Sequence, residues 1–159
     1  MRQKAFDRMI RVAARLKERG YDFIVQILGE GEDRAMLENL ITKLELSNNV
    51  RLLGFVKPPY SIMVKADLFV STSIMEGYPL NICEALCLGL PIVATRCCGN
   101  TELVDEVGIL TEHDDDSILE GIVKMIEDAT LRRTASQRAL EKSAEFEFNK
   151  IMSEVYNLI

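Results

Sequence analysis

The sequence has no apolar run approaching the ~18 residues of a membrane span, and its N-terminus, MRQKAFDRMI, is charged where a signal peptide would be apolar. The segment therefore reads as cytoplasmic. Positive charge is in short supply: 19 lysines and arginines against 25 aspartates and glutamates give a net charge of −6. That argues against a nucleic-acid or anionic-membrane surface and leaves any phosphate binding to a local site. Histidine is represented by His113 alone, and the cysteines, Cys83, Cys87, Cys97 and Cys98, contain no CxxC pair. A zinc site is disfavoured, and reduced thiols are expected. No internal repeat, low-complexity tract or linker interrupts the chain, so residues 1–159 are expected to form one domain with its own core.

Helical and extended patterns alternate along that domain. Phe6, Met9, Ile10, Ala13 and Leu16 recur at helical spacing, and Gly20 is placed to stop the helix. FIVQIL at 23–28 reads as a strand ending at Gly29. A helix through Met36, Leu37, Leu40, Ile41 and Leu44 follows, then a strand at 50–54 and a short helix opened by Pro58-Pro59. DLFVST at 67–72 and PIVAT at 91–95 are strands flanking another helix. After a short helix near 100–106, VGILT at 107–111 supplies the last strand. Two helices are expected beyond residue 114, one lined by Ile118, Ile122, Met125 and Ile126, the other marked by Phe146, Phe148, Ile151, Met152 and Val155. Strands separated by helices and bounded by glycine or proline predict an α/β fold, a doubly wound, Rossmann-like parallel sheet.

In such sheets ligands bind beyond the carboxyl ends of the strands, so the loops after the strands carry the chemistry. GEGED after the first strand is no dinucleotide fingerprint, because Arg34 stands where the third glycine would be, and it reads as a tight turn. The run EGYPLNICE at 76–84 says more. Gly77 permits close backbone approach, and Pro79 suits the first helical position, which predicts outward-pointing amides at Leu80 and Asn81. Such a helix start stabilises a phosphate. Glu84 then falls just over one turn further on, in a helix otherwise almost wholly apolar. A carboxylate there needs partners, and a ligand diol is the natural one. His113-Asp114-Asp115-Asp116 precedes a helix and reads as capping rather than as a metal-binding DxD site.

E-G-Y-P-L-N-I-C-E, followed by A-L-C-L-G-L-P-I-V-A-T and G-N-T-E-L, resembles the E-x7-E signature and following segment of group 1 glycosyltransferases, family 4, of GT-B architecture. RQKAFD is similar to the lysine-containing start of that family's first helix, ILGEG to its G-x-G turn, and VRLLGFV to its base-binding loop. The resemblance implies that Glu84 holds the ribose hydroxyls of a sugar nucleotide and that Glu76 contacts the transferred sugar. It implies that the backbone of Gly77, Tyr78, Pro79 and Leu80, with Asn81, binds the distal phosphate and sugar. Lys4 would neutralise the diphosphate, Gly29 would belong to the donor-side turn, and the main chain at Phe55 and Val56 would meet the base.

The implied reaction is transfer of a glycosyl group from a nucleotide diphosphate sugar to an acceptor hydroxyl with retention, in polysaccharide or glycolipid assembly. No metal or other cofactor is implied. Lys4 and the amides of Leu80 and Asn81 would stabilise the leaving diphosphate. With a single nearby carboxylate, same-face attack is favoured, Glu76 orienting the sugar. The chain departs from the family at Cys98, which stands where a Gly-Gly pair usually begins and takes backbone freedom from the donor pocket. By the same resemblance it is the donor-binding C-terminal half of a two-domain enzyme, without the N-terminal acceptor domain, through which the whole enzyme would lie near the inner face of a membrane. By that resemblance the first strand, which normally ends in Gly-Arg a few residues before Lys4, is missing as well. In the family strand order 3-2-1-4-5-6 it would be central, between 23–28 and 67–72. Its absence predicts a rearrangement, such as pairing across the gap or strand donation from another copy, and hence self-association. Two other classes of function remain open. One is a non-catalytic sugar-nucleotide binding module; the other is a sugar-nucleotide epimerase, which needs more acid/base groups than a chain with one histidine supplies.

Overall fold

The computed structural model describes residues 2–146. A 3-10 turn at Arg2–Lys4 leads through Ala5, in the left-handed region at φ 46°, into helix α1 (Phe6–Glu18). An L-residue in that conformation costs about 1–2 kcal/mol, so the turn needs outside support. The Thr72 hydroxyl lies 2.9 and 3.0 Å from the carbonyl oxygens of Lys4 and Ala5, and the Ile74 amide donates to the Gln3 carbonyl at 2.7 Å. Gly20, at φ 83°, ends α1 as expected: its amide bonds Lys17 and that of Tyr21 bonds Leu16, the paired closure of a Schellman motif.

The remaining elements are β1 (Val25–Leu28), α2 (Arg34–Lys43), β2 (Val50–Gly54), α3 (Tyr60–Met63), β3 (Phe69–Ser71) and α4 (Leu80–Cys87). They continue with β4 (Ile92–Thr95), α5 (Cys98–Val104), β5 (Ile109–Thr111), α6 (Asp115–Glu127) and α7 (Ala129–Ser143). All pairings between these strands are parallel. Among the described residues, however, they form two sheets, β1-β2 and β3-β4-β5, rather than the single sheet read from the sequence. β4 is buried along its whole length, while β1 and β3 are only partly covered, as strands with one open edge should be. The pairing across the gap anticipated from the sequence does not occur.

What joins the halves is α1. Met9, Val12 and Leu16 pack with Val93, Ile118, Leu119 and Ile122, in a cluster that also receives Val25 and Val70. Ile10 and Ala13, one step round the helix, pack with Ile27, Leu37, Ile41, Leu46 and Val50. The helix thus buries two adjacent stripes, one in each half, and needs no backbone pairing between them. Three arginines spaced four apart pin its outer side to α6: Arg11 to Asp115 at 2.7 Å, Arg15 to Asp116 at 2.5 Å and Arg19 to Glu120 at 2.7 Å. Hydrogen bonds to Asp115, and secondarily to Asp7, hold the Arg11 guanidinium above its ordinary pKa.

The aspartate run behaves as a cap. Asp114 accepts from the Ser117 amide, and Asp115 and Asp116 serve the pairs with α1. Helix α7, capped by Asp128, is an element the apolar pattern did not predict, because its buried residues are the alanines Ala135 and Ala139. The helix expected around Phe148, Ile151, Met152 and Val155 lies outside the described residues, and Phe146 closes a 3-10 turn rather than opening it. Among the described residues no helix is long and apolar enough to cross a membrane.

Candidate functional site

The end of β3 and the start of the loop after it carry three buried hydroxyl residues, Ser71, Thr72 and Ser73. Thr95 on β4 donates to the Ser73 carbonyl, and Ser73 in turn donates to Glu76 Oε1 at 2.6 Å. The same carboxylate oxygen receives Lys4 Nζ at 2.6 Å. Only 13% of the Glu76 side chain is exposed, and a carboxylate so covered is tolerable because both donors are present, one of them charged. Two residues singled out separately in the sequence are therefore partners. The tie of Gln3 and Lys4 to the end of β3 makes this contact.

The backbone of the 76–79 turn rests on α5. The Gly99 amide donates to the Glu76 carbonyl at 3.1 Å. A Cβ at Gly99 would lie 2.6 Å from the Gly77 carbonyl oxygen and 2.8 Å from Pro79 Cδ, so only glycine permits this approach. Cys98, in contrast, opens α5 without a positive φ, and the loss of glycine there, expected to constrain the donor pocket, costs the backbone nothing.

One expectation about the start of α4 needs correction. Pro79 precedes the helix rather than occupying its first position, with φ −79° and ψ 87°, and the Leu80 amide turns back to the Tyr78 carbonyl at 3.0 Å. That tight turn consumes a donor that the sequence had assigned to a phosphate. The Asn81 amide has no backbone partner among the described residues, and the buried Oδ1 of Asn81 is also unpartnered. Leu80 and Tyr78 project outward at 68% and 57% exposure. The Tyr78 phenol is held above its ordinary pKa, first by a hydrogen bond with Cys83.

Ile82, Ala85 and Leu86 form the buried side of α4, and Glu84 flanks it, partly covered. Its Oε1 accepts from the Tyr60 hydroxyl at 3.2 Å. Tyr60 was missed in the sequence, where only Pro58-Pro59 was read, as the opening of a short helix. The available signal was an aromatic hydroxyl a few residues beyond the Phe55-Val56 turn.

The turns after β1 and β2 meet, the Gly29 amide donating to the Gly54 carbonyl at 2.7 Å, and they leave Phe55 77% exposed. Lys4, Glu76, Gly77, Tyr78, Pro79, Leu80, Asn81 and Glu84 thus form one group, and Gly29, Phe55 and Val56 another. Both stand at the carboxyl ends of parallel strands, and Tyr60, four positions after Val56 in the chain, bonds Glu84 of the first group. Among the described residues no cluster of three or more His, Cys, Asp or Glu side chains could hold a metal ion.

Comparison with known proteins identifies the family. Residues 1–142 match the family described as "Glycosyl transferases group 1". The chain is 37% identical to the N-acetylgalactosamine-N,N'-diacetylbacillosaminyl-diphospho-undecaprenol 4-alpha-N-acetylgalactosaminyltransferase of Campylobacter jejuni, over 90% of this chain and 40% of that protein. S. aureus TarM, solved with Fondaparinux, alpha-GlcNAc-glycerol and UDP, superposes with a TM-score of 0.89 at 26% identity, covering 98% of this chain and 33% of that one. Anabaena HepE, solved with UDP-glucose, does so with a TM-score of 0.87 at 26% identity, covering 100% and 46%. The fold is that of the Rossmann-like unit of GT-B glycosyltransferases. The chain belongs to the group 1 glycosyltransferase family, and it spans less than half the length of these relatives.

Proposed function

We propose that this chain binds the nucleoside diphosphate sugar of a retaining glycosyltransferase, and that it supplies the donor side of a reaction whose acceptor side lies on a further domain. The observation that carries the reading is the arrangement around the start of α4. Lys4 pairs with Glu76 just before it in the chain, Glu84 presents a carboxylate one turn beyond, and among the described residues the Asn81 amide has no backbone partner. Lys4 neutralises the diphosphate, Glu84 receives ribose hydroxyls, Glu76 orients the sugar, and the main chain at Phe55 and Val56 meets the base. UDP in the TarM and HepE structures makes a uridine donor the first to test. The undecaprenol-linked name of the Campylobacter relative supports a lipid-linked acceptor and glycolipid or polysaccharide assembly.

Charge develops on the leaving diphosphate as the glycosidic bond breaks. An ammonium group at Lys4 lowers that barrier most where water is excluded. In the ligand-free chain Lys4 is committed to Glu76, so donor entry exchanges one anion for another at the same ammonium. The acceptor oxygen then attacks from the face the diphosphate leaves, and a phosphate oxygen takes its proton. The direct experiment compares UDP, UMP and uridine by calorimetry at two salt concentrations. UDP binds best and weakens as salt rises. Equal affinity for uridine and UDP overturns the reading.

A further inference from the structure

Glu84 is touched, among the described residues, by one hydrogen-bonding side chain. The Tyr60 hydroxyl donates to its Oε1, and the second carboxylate oxygen has no partner. Met63 of α3 is buried in the same cluster as Ile82, Ala85 and Leu86 of α4, and the Tyr60–Glu84 bond adds a polar tie between the two helices at their exposed edge. A tyrosine in this place has two useful properties. Its side chain turns about only two torsions, and its neutral O–H donates without cancelling the charge of the carboxylate. The same bond holds the phenol above its ordinary pKa, and a tyrosine hydroxyl is in any case protonated, and so a donor, at neutral pH.

Only three residues, Lys57 to Pro59, separate Tyr60 from Val56. The bond therefore ties the loop assigned to the base to the helix assigned to the ribose. We infer that Tyr60 is a positioning residue for nucleoside recognition: it commits one oxygen of Glu84 and aims the other at the ribose, so that the chain distinguishes a ribose from a deoxyribose. This rests on the reading of Glu84 given above and extends it to a residue that touches no ligand in that reading. An unpinned glutamate must be ordered by the ligand itself, whereas a pinned one is ordered beforehand.

The test is an NMR titration of the chain, labelled at the tyrosine ζ-carbons, with UDP, 2′-deoxy-UDP and 3′-deoxy-UDP into the millimolar range. Parent, Tyr60→Phe, Glu84→Gln and the double variant are compared, with thermal melts to verify folding. The parent prefers UDP over at least one deoxy analogue. Tyr60→Phe shrinks that preference roughly 3- to 10-fold, less than the full worth of a charge-assisted hydrogen bond because Tyr60 acts only by ordering Glu84 beforehand, and leaves affinity for that deoxy analogue unchanged. The double variant matches Glu84→Gln alone. A full preference in Tyr60→Phe, or an equal loss for all three ligands, overturns the positioning role while the Glu84 reading stands. Unchanged preference in Glu84→Gln, or no UDP binding by the parent, overturns the Glu84 reading and this inference with it.

Discussion

Lys4 Nζ and Glu76 Oε1 lie 2.6 Å apart across 72 residues of sequence, so the cation expected on the diphosphate is held, without ligand, by the carboxylate expected on the sugar. Removing the negative charge should free the cation. Glu76→Gln is expected to bind UDP at least as tightly as the parent by calorimetry, while transfer in the complete enzyme falls. Weaker UDP binding in this variant would mean that Glu76 contacts the nucleotide rather than the sugar.

Glu84→Gln behaves in the opposite way. A charge-assisted hydrogen bond contributes about 1.5–3 kcal/mol, so affinity for UDP and for UDP-glucose should fall together, roughly 10- to 150-fold. A loss confined to UDP-glucose would move Glu84 from the ribose to the sugar.

Gly99→Ala tests how the 76–79 turn is supported. The new Cβ meets the carbonyl oxygens of Gly77 and Glu76 at 2.6 and 3.0 Å, and backbone cannot step aside as a flexible side chain can. Overpacking of this kind costs about 1–3 kcal/mol. A lowered melting temperature and weaker UDP binding are expected together; a variant indistinguishable from the parent in both would show that the turn moves freely.

Helix α1 bridges the two half-sheets through its buried side, so its apolar residues should matter far more than its arginines. Ile10→Ala, at a fully buried position, should cost about 2–5 kcal/mol in a denaturant titration. Arg15→Ala, which opens a pair whose partner Asp116 is 80% exposed, should leave the midpoint nearly unmoved at physiological salt. The reverse order would mean that ion pairs, not burial, hold the halves together.

Much of the fold was legible because its strands are short apolar runs fenced by Gly29, Gly54, Pro91 and Gly108. Gly20 could be read as a stop because its left-handed conformation is a local property. Helix α7 escaped because alanine burial leaves almost no hydrophobic period. The division of the sheet is a matter of partners, which no single strand records. In the site, Glu84 stood out as a charge among apolar neighbours. Its bond to Tyr60 and the Lys4–Glu76 pair depend on tertiary contacts across 24 and 72 residues. The Leu80 amide was misassigned because the turn at Pro79 depends on a ψ of 87° that proline does not dictate.

The central claim is that a nucleoside diphosphate sugar sits over the start of α4. Backbone amide shifts of the 15N-labelled chain, followed as UDP-glucose is added, test it most directly. The largest changes are expected at Lys4, at 54–56 and at 76–84, saturating together with one dissociation constant. Saturable shifts centred instead on α6 and α7, or no shift at millimolar UDP-glucose or any other common sugar nucleotide, would contradict it.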